Sequence, residues 1–293
     1  MSQVSIRSST PATPGCSLSN ALGASPATAS AGEPVPHATT SPLVRATVLL
    51  YGVVCYAIFF GTFLLSFGFV GNLFIPGLDR AATGSGWSGA ALAILIDVLL
   101  LGLFAVQHSV MARPWFKARL TRYIPEAAER STYVLLSSVA LLLLIALWRP
   151  IGGIVWDAPA GAARIALTAL MASGWLLVLV TTFLINHFDL FGLRQVWLFA
   201  RNKPYTNLPF KTPALYSQVR HPLYVGWLIG FWATPTMSSA HLLFAIVTTV
   251  YILAAIRWEE RDLLDLHGRS YAEYRRRVPM LVPRFRRATE GGA

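Results

Sequence analysis

Charge is scarce in this chain. Asp, Glu, Lys and Arg make up 13% of its 293 residues, about half the ~25% of an ordinary soluble domain. Cysteine is nearly absent, with Cys16 and Cys55 alone. Two cysteines cannot staple a fold of this size, so a disulfide scaffold is excluded. Together with scattered histidines they also lack the ligand spacing of a zinc site, and no metal is expected. Acidic residues are the rarer sign, 13 against 24 Lys and Arg, for a net charge of +11. What is plentiful is apolar: 55% of the residues are hydrophobic. That rules out disorder for the bulk of the chain and argues against a soluble enzyme. The basic residues lie between long apolar segments, which assigns them to a membrane rather than to nucleic acid.

Residues 1–43 stand apart. Ser, Thr, Ala, Pro and Gly dominate them, with Arg7 and Glu33 among the few charges, so a disordered tail without the apolar core of a secretory signal is expected. A transmembrane domain is expected over 44–283 and a basic tail over 284–293. Residues 46–70 carry no charge and exceed the ~20 residues that span a bilayer as a helix. Further spans are predicted over 90–110, 132–148 and 165–186. The apolar stretch 222–256 is too long for one span and is broken by Thr234-Pro235-Thr236-Met237-Ser238-Ser239. It reads as a helical hairpin whose first arm, about 13 residues and roughly 20 Å, is short of the ~30 Å hydrocarbon core. The fold class is therefore an all-α polytopic membrane protein of about six transmembrane helices. Lys and Arg concentrate in the second and fourth loops (five each) and after residue 260 (eight), against one, two and none in the remaining connections. The positive-inside rule then places both termini in the cytoplasm.

With that topology the polar residues at the membrane edge gather on one side. They are Gln107-His108-Ser109, Asn186-His187-Phe188-Asp189, Arg220-His221-Pro222 and Arg257-Trp258-Glu259-Glu260. From His221 to Ser238 is 17 residues and from Ser238 to Glu259 is 21, so the two hairpin ends differ by about four residues, roughly 6 Å in height. His221, Tyr224 and Glu259 are expected to face one small volume. Each residue also has an ordinary structural reading. His108 and His187 suit interfacial helix ends, Arg220 and Arg257 suit snorkelling to head groups, and Glu259 and Glu260 suit pairing with Arg257 and Arg261. Asp97, inside the second span, is a functional candidate by default or else a partner to another helix. Pro222 fits the first turn of a helix, and Gly226 and Gly230, four apart, permit close approach of a neighbour.

The run Arg220-His221-Pro222-Leu223-Tyr224-Val225-Gly226 resembles the RHPxYxG motif of the isoprenylcysteine carboxyl methyltransferase-like membrane enzymes. Glu259-Glu260, Leu263, Gly268, Tyr271, Tyr274 and Val278-Pro279 resemble that group's EExxL…GxxYxxY…VP segment. Within the group the chain is most similar to the nurim-type methanethiol S-methyltransferases. Gln107-His108-Ser109-Val110-Met111-Ala112-Arg113, the run Asn186 to Trp197 and Phe231-Trp232-Ala233-Thr234-Pro235 carry that closer resemblance, which covers roughly residues 49–283. His267 departs from the group, which usually has Phe before the Gly.

The resemblance implies S-adenosylmethionine as methyl donor, held at a cytoplasmic pocket by His221, Tyr224, Glu259, Tyr271 and Tyr274. It implies methyl transfer to methanethiol, giving dimethyl sulfide. The residues suit such chemistry without any Gly-rich dinucleotide fingerprint. Arg220 or the helix terminus at His221 suits the donor's carboxylate, and aromatic rings suit a sulfonium. The reacting thiol needs a base, for which His108 and His187 are the candidates. Partners are then methanethiol and membrane lipids. Alternatives are a methyltransferase for a lipidic or prenylated thiol or carboxylate, a haem-binding redox protein using the same histidines, and a non-catalytic scaffold.

Overall fold

The computed structural model describes residues 40–81, 87–206 and 214–283. Of the tails expected over 1–43 and 284–293, residues 1–39 and 284–293 lie outside the described residues, and the first helix already begins at Pro42. Helix α1 (Pro42–Gly71) opens where Ser41 accepts a hydrogen bond from Val44 N (3.3 Å) and Pro42 occupies the first turn. It ends at Asn72, whose left-handed backbone (φ 51°) closes the helix on Gly68 O. α2 (Trp87–Met111) follows, then the short α3 (Pro114–Leu120) and α4 (Glu126–Leu147). α4 begins six residues ahead of the predicted 132, because Glu126 and Glu129 suit the positive end of a helix. Strand β1 (Ile154–Asp157) and helix α5 (Ala162–Ile185) come next, then α6 (His187–Leu190), α7 (Leu193–Ala200) and α8 (Ala214–Gln218). The chain closes with α9 (Pro222–Trp232), strand β2 (Thr236–Ser238), α10 (Ser239–His267) and α11 (Arg269–Arg277).

Among the described residues, five helices are long and apolar enough to cross a membrane: α1, α2, α4, α5 and α10. Their outer faces are apolar as well. On α2 the exposed Leu92, Leu95, Leu99, Leu103 and Val106 form one stripe at helical spacing, the pattern of a helix that meets lipid rather than water. The chain is a mostly helical polytopic membrane protein.

The predicted hairpin is present, but α9 has only 11 residues, about 16 Å. Thr234 precedes Pro235 and is biased away from helix. The chain instead runs into β2, which pairs antiparallel with β1 (Trp156↔Met237, Asp157↔Thr236). This ribbon satisfies backbone groups that the lost helical turns would have satisfied. It is fastened by Asp79, whose carboxylate accepts from Ser238 N (2.6 Å), Asn72 and His241 Nδ1 (2.9 Å). The other ring nitrogen of His241 reaches Phe231 O at 3.0 Å. Asp97 proves to be a structural partner: fully buried, it accepts from Arg149 N (2.8 Å) just past the end of α4.

The core lies between the long helices, around Phe69, Leu144, Trp148, Trp175, Phe231 and Phe244. α9 lies against α5 through glycine, as its spacing predicts. A methyl group built on Gly174 would sit 2.6 Å from Gly230 N and 2.8 Å from Gly226 O. Only glycine permits backbones this close, and the approach sets where His221 and Tyr224 stand at the start of α9.

Candidate active site

Two regions adjoin at the end of the bundle where α9 begins and α10 ends. The first is a charged clamp. Arg220 donates from Nε to Glu260 Oε1 (2.7 Å), and its Nη1 reaches Arg275 O (2.9 Å) and Val278 O (2.6 Å). The backbone N–H of Arg220 donates to Pro279 O and that of His221 to Met280 O. These bonds draw the segment after α11 across the start of α9. His221 caps α9 and is buried, with Nε2 3.1 Å from Glu260 Oε1 and Nδ1 3.8 Å from Glu259 Oε2. Tyr274 donates to Tyr216 O (2.6 Å) and holds α11 to α8. Burial pushes the Tyr274 hydroxyl up to about 12 and raises Tyr271 further, with the Glu260 and Glu259 charges adding to the latter. Both phenols are therefore un-ionised hydrogen-bond donors.

His221, Tyr224 and Glu259 do face one volume. The His221 and Tyr224 rings are 5.7 Å apart, and the Tyr224 hydroxyl bonds to Glu259. Glu259 Oε2 and the Tyr271 hydroxyl are buried with no hydrogen-bond partner among the described residues. Buried polar atoms are ordinarily paired, so two orphans beside the same clamp mark a place for a polar ligand. The structure thus divides the motif. Arg220, Glu260 and Tyr274 are engaged with the protein itself, whereas Glu259 and Tyr271 keep free valences. The side chain of His267 lies outside the described residues.

The second region is a cavity of about 330 Å³ between α1, α2, α4, α5, α9 and α10. Its wall is largely aromatic. Trp175 meets Trp227 edge-on (5.1 Å) and Phe63 (5.4 Å), and Trp227 stacks on Phe231 (5.4 Å). The polar groups on the wall include His108, Arg130, Tyr133, His187, Tyr224 and Tyr251, most of them from the ends of helices and Tyr251 from the middle of α10. Tyr224 belongs to both regions and joins them.

The two candidate bases stand on this wall. His187 donates from Nδ1 to Thr182 Oγ1 (2.8 Å), since the Thr182 hydroxyl is itself given to Leu179 O (2.6 Å). Its Nε2 therefore accepts from the Tyr56 hydroxyl (2.8 Å), and its ring stacks on Phe183 at 4.2 Å. Burial lowers the His187 pKa below 6.5 and keeps the ring neutral. His108 stacks on Phe104 (5.2 Å), with the Tyr133 hydroxyl 2.8 Å from its Nε2 and Ser137 Oγ 3.3 Å from its Nδ1.

Sequence reading missed the rest of this wall. Arg130 counts there only as a loop charge, yet it lies in the first turns of α4, buried, with Nε donating to Leu190 O (2.7 Å) and its guanidinium 5.1 Å from the Tyr133 ring centre. The available signal is an Arg and a Tyr three apart at a helix start, which share one face.

A family model described as NnrU protein matches residues 96–260. A methanethiol S-methyltransferase from Crocosphaera subtropica is 56% identical over 245 residues, covering 84% of this chain and 95% of the relative. One from Mycobacterium tuberculosis is 50% identical over 240 residues, covering 82% and 97%. Nurim from Sus scrofa is 33% identical over 183 residues, covering 59% of this chain and 68% of the relative. No solved structure matches.

Proposed function

The chain belongs to the NnrU family, and from that premise we propose that it is an integral-membrane methyltransferase that methylates methanethiol to dimethyl sulfide. The observation that carries the reading is the join at Tyr224. An aromatic cavity suited to a small apolar acceptor opens beside a clamp with two unpaired buried polar atoms, Glu259 Oε2 and Tyr271 Oη. Relatives named for this reaction match over most of their length.

S-adenosylmethionine fits as the donor, and when bound it supplies a methyl group on a positively charged sulfonium. The residues suited to hold it are Glu259 and Tyr271, by hydrogen bonds to hydroxyl or amino groups, with His221 and Tyr224 beside them. Arg220 and Tyr274 serve the site by fixing the clamp. Tyr224 and the Trp175, Trp227 and Phe231 rings offer π-faces to a cation near the join, and they exclude water from the place where charge is cancelled. The acceptor's reactive form is the thiolate. Neutral His187 is the proton acceptor on the cavity wall, and His108, held by Tyr133 and Ser137, orients that wall or serves as the second base.

The membrane reading extends to topology. Six crossings, with the short α9 and its β-ribbon as one of them, put the clamp and the cavity's polar end in the cytoplasm and both termini on that side, in agreement with the Lys and Arg bias. A bacterial-type cytoplasmic membrane is the natural location, and methanethiol reaches the cavity through lipid. Haem ligation fits less well, because both ring nitrogens of His187 are hydrogen-bonded and His221 is held by the Glu259-Glu260 pair.

Headspace gas chromatography tests the reading. Membranes carrying the wild type or His221→Ala receive S-adenosylmethionine and methanethiol. Dimethyl sulfide from the wild type, with at least a tenfold loss in the variant, is expected. Cofactor binding without dimethyl sulfide would move the acceptor to a larger or prenylated thiol. No cofactor binding would overturn methyl transfer altogether.

A further inference from the structure

Among the described residues Arg130 is a buried cation in no ion pair. It is 8% exposed, as is Lys117 on α3. The nearest carboxylate on its own helix, Glu129, is taken by Lys117, with Oε1 4.0 Å from Lys117 Nζ. The other nearby acid, Asp189, is held by Arg194 (2.9 Å) and Tyr205 (3.2 Å). The remaining groups that face Arg130 are His108, Tyr133 and Tyr205, and Arg113 from the end of α2 adds further positive charge beside Lys117 and Tyr133. None of them supplies negative charge at neutral pH, since burial pushes even the Tyr205 phenol up to about 12. Lys117 is pushed down to about 8, first by burial and next by the Arg130 charge. Such a site carries excess positive charge inside the protein.

The geometry directs that excess into the cavity. Arg130 Nε is spent on Leu190 O. Among the described residues, no hydrogen bond or ion pair engages its two terminal nitrogens, while the side chain lines the cavity wall beside His108, Tyr133 and His187. A buried, unpaired guanidinium is costly to maintain and is a ready anion site.

We infer that Arg130 binds the acceptor as its thiolate and lowers the thiol's pKa in the cavity, which makes it a catalytic residue of the reaction proposed above and rests on that reading. The thiol proton leaves to His187 Nε2, which takes it when the Tyr56 hydroxyl that it holds in the resting site turns away, and passes from there to water. A lone pair of the thiolate sulfur forms the new S–CH3 bond, and the CH3–S⁺ bond of the donor sulfonium breaks. Its electron pair stays on the departing sulfur, so a neutral sulfide and a neutral thioether result. Arg130 would hold the thiolate in the cavity, and a donor held at the clamp would supply the methyl group from the Tyr224 side, where the two regions join.

The test is the pH dependence of kcat at saturating methanethiol, which reports ionisation in the bound complex, in wild type, Arg130→Gln and Arg130→Lys, with S-adenosylmethionine affinity measured by equilibrium binding on the same membranes. For the wild type, kcat is expected to rise with an apparent pKa at least one unit below that of methanethiol titrated in the same buffer. Arg130→Gln is expected to lose about 10²-fold at pH 7, with its S-adenosylmethionine affinity within twofold and the loss shrinking as pH rises. Arg130→Lys is expected to lie between. A wild-type apparent pKa equal to that of free methanethiol overturns the inference without any variant. So does a profile for Arg130→Gln parallel to the wild type. A tenfold loss of S-adenosylmethionine affinity with an unmoved thiol profile would reassign Arg130 to the donor's carboxylate. Absence of dimethyl sulfide from the wild type overturns methanethiol as the acceptor and this inference together. Dimethyl sulfide with unmoved profiles overturns this inference alone.

Discussion

Replacing Gly226 by alanine places a methyl group where two helix backbones already touch. Its carbon would lie 2.8 Å from Gly174 O, 2.8 Å from Val178 Cγ2 and 2.9 Å from Val178 N. Two of those atoms are backbone and cannot rotate away, so α5 and α9 must separate. Overpacking of this kind costs typically ~1–3 kcal/mol, and rigid neighbours put it toward the upper end. Alanine is favoured over glycine in a helix by about 0.5–1 kcal/mol, which leaves a net loss of about 2 kcal/mol. For a chain of this size that is a fall in Tm of about 4–8 °C. Gly102→Ala on α2 is the internal control: nothing lies within 4 Å of its added methyl, so only the propensity gain remains and Tm should hold or rise. Tryptophan fluorescence of the protein in lipid nanodiscs reads both. Gly174→Ala should cost a similar amount, and the double variant less than the sum, because both methyls force the same separation. A Gly226→Ala protein as stable as Gly102→Ala would refute the argument that contact between these backbones positions α9.

Three further outcomes are expected. Glu260→Gln leaves the largely buried Arg220 without its 2.7 Å partner, a loss of about 3–5 kcal/mol if the site stays closed. Trypsin should then cut within α11 (Arg269–Arg277) well before the helices melt, and an uncut α11 would show that the clamp does not hold it. Asp79→Asn removes the carboxylate shared by Ser238, Asn72 and His241 and should lower Tm by several degrees, whereas an unchanged Tm would mean that the β-ribbon holds by its own ladder. For His187, burial sets the folded pKa below the unfolded 6.5, so the unfolded chain takes up its proton first as pH falls. Its contribution is whole above about pH 6.5 and is lost from there toward the folded value. The Tm gap between wild type and His187→Gln should narrow from pH 8 to pH 5.5, and a constant gap would contradict this.

Much of the architecture is legible in the sequence because lipid imposes a coarse rule: uncharged runs of some 20 residues become helices. That rule finds α1, α2 and α5 within a few residues, but it starts α4 six residues late and stops at 256, where α10 runs on through charged residues to His267; proline placement with a count of residues finds the α9–α10 hairpin and the shared volume of His221, Tyr224 and Glu259. It fails where the determinant is pairing rather than periodicity. The β1–β2 ribbon joins residues some 80 apart, and nothing in Ile154–Asp157 alone announces its partner. The same holds for the cavity. Arg130, Trp175, Trp227 and Tyr251 come from four different helices, and each reads locally as a loop charge or an interface aromatic.

Hydrogen-bond satisfaction then separates residues that the motif treats alike. Arg220, Glu260 and Tyr274 spend their polar atoms on the protein, and the result is a stiff frame across the start of α9. Glu259 and Tyr271 each keep a buried oxygen unpaired, and the terminal nitrogens of Arg130, beyond its Nε bond to Leu190 O, stay unengaged among the described residues. Desolvating a polar or charged group without a partner costs free energy that folding alone does not recover. Such groups therefore mark faces completed by something other than the chain. On the proposed reading the acidic and phenolic orphans lie on the donor side of Tyr224 and the cationic one on the acceptor side. The two ligands would then bring opposite charges into an aromatic enclosure and leave it neutral, and the apolar wall that resists separated charge favours the product of their reaction.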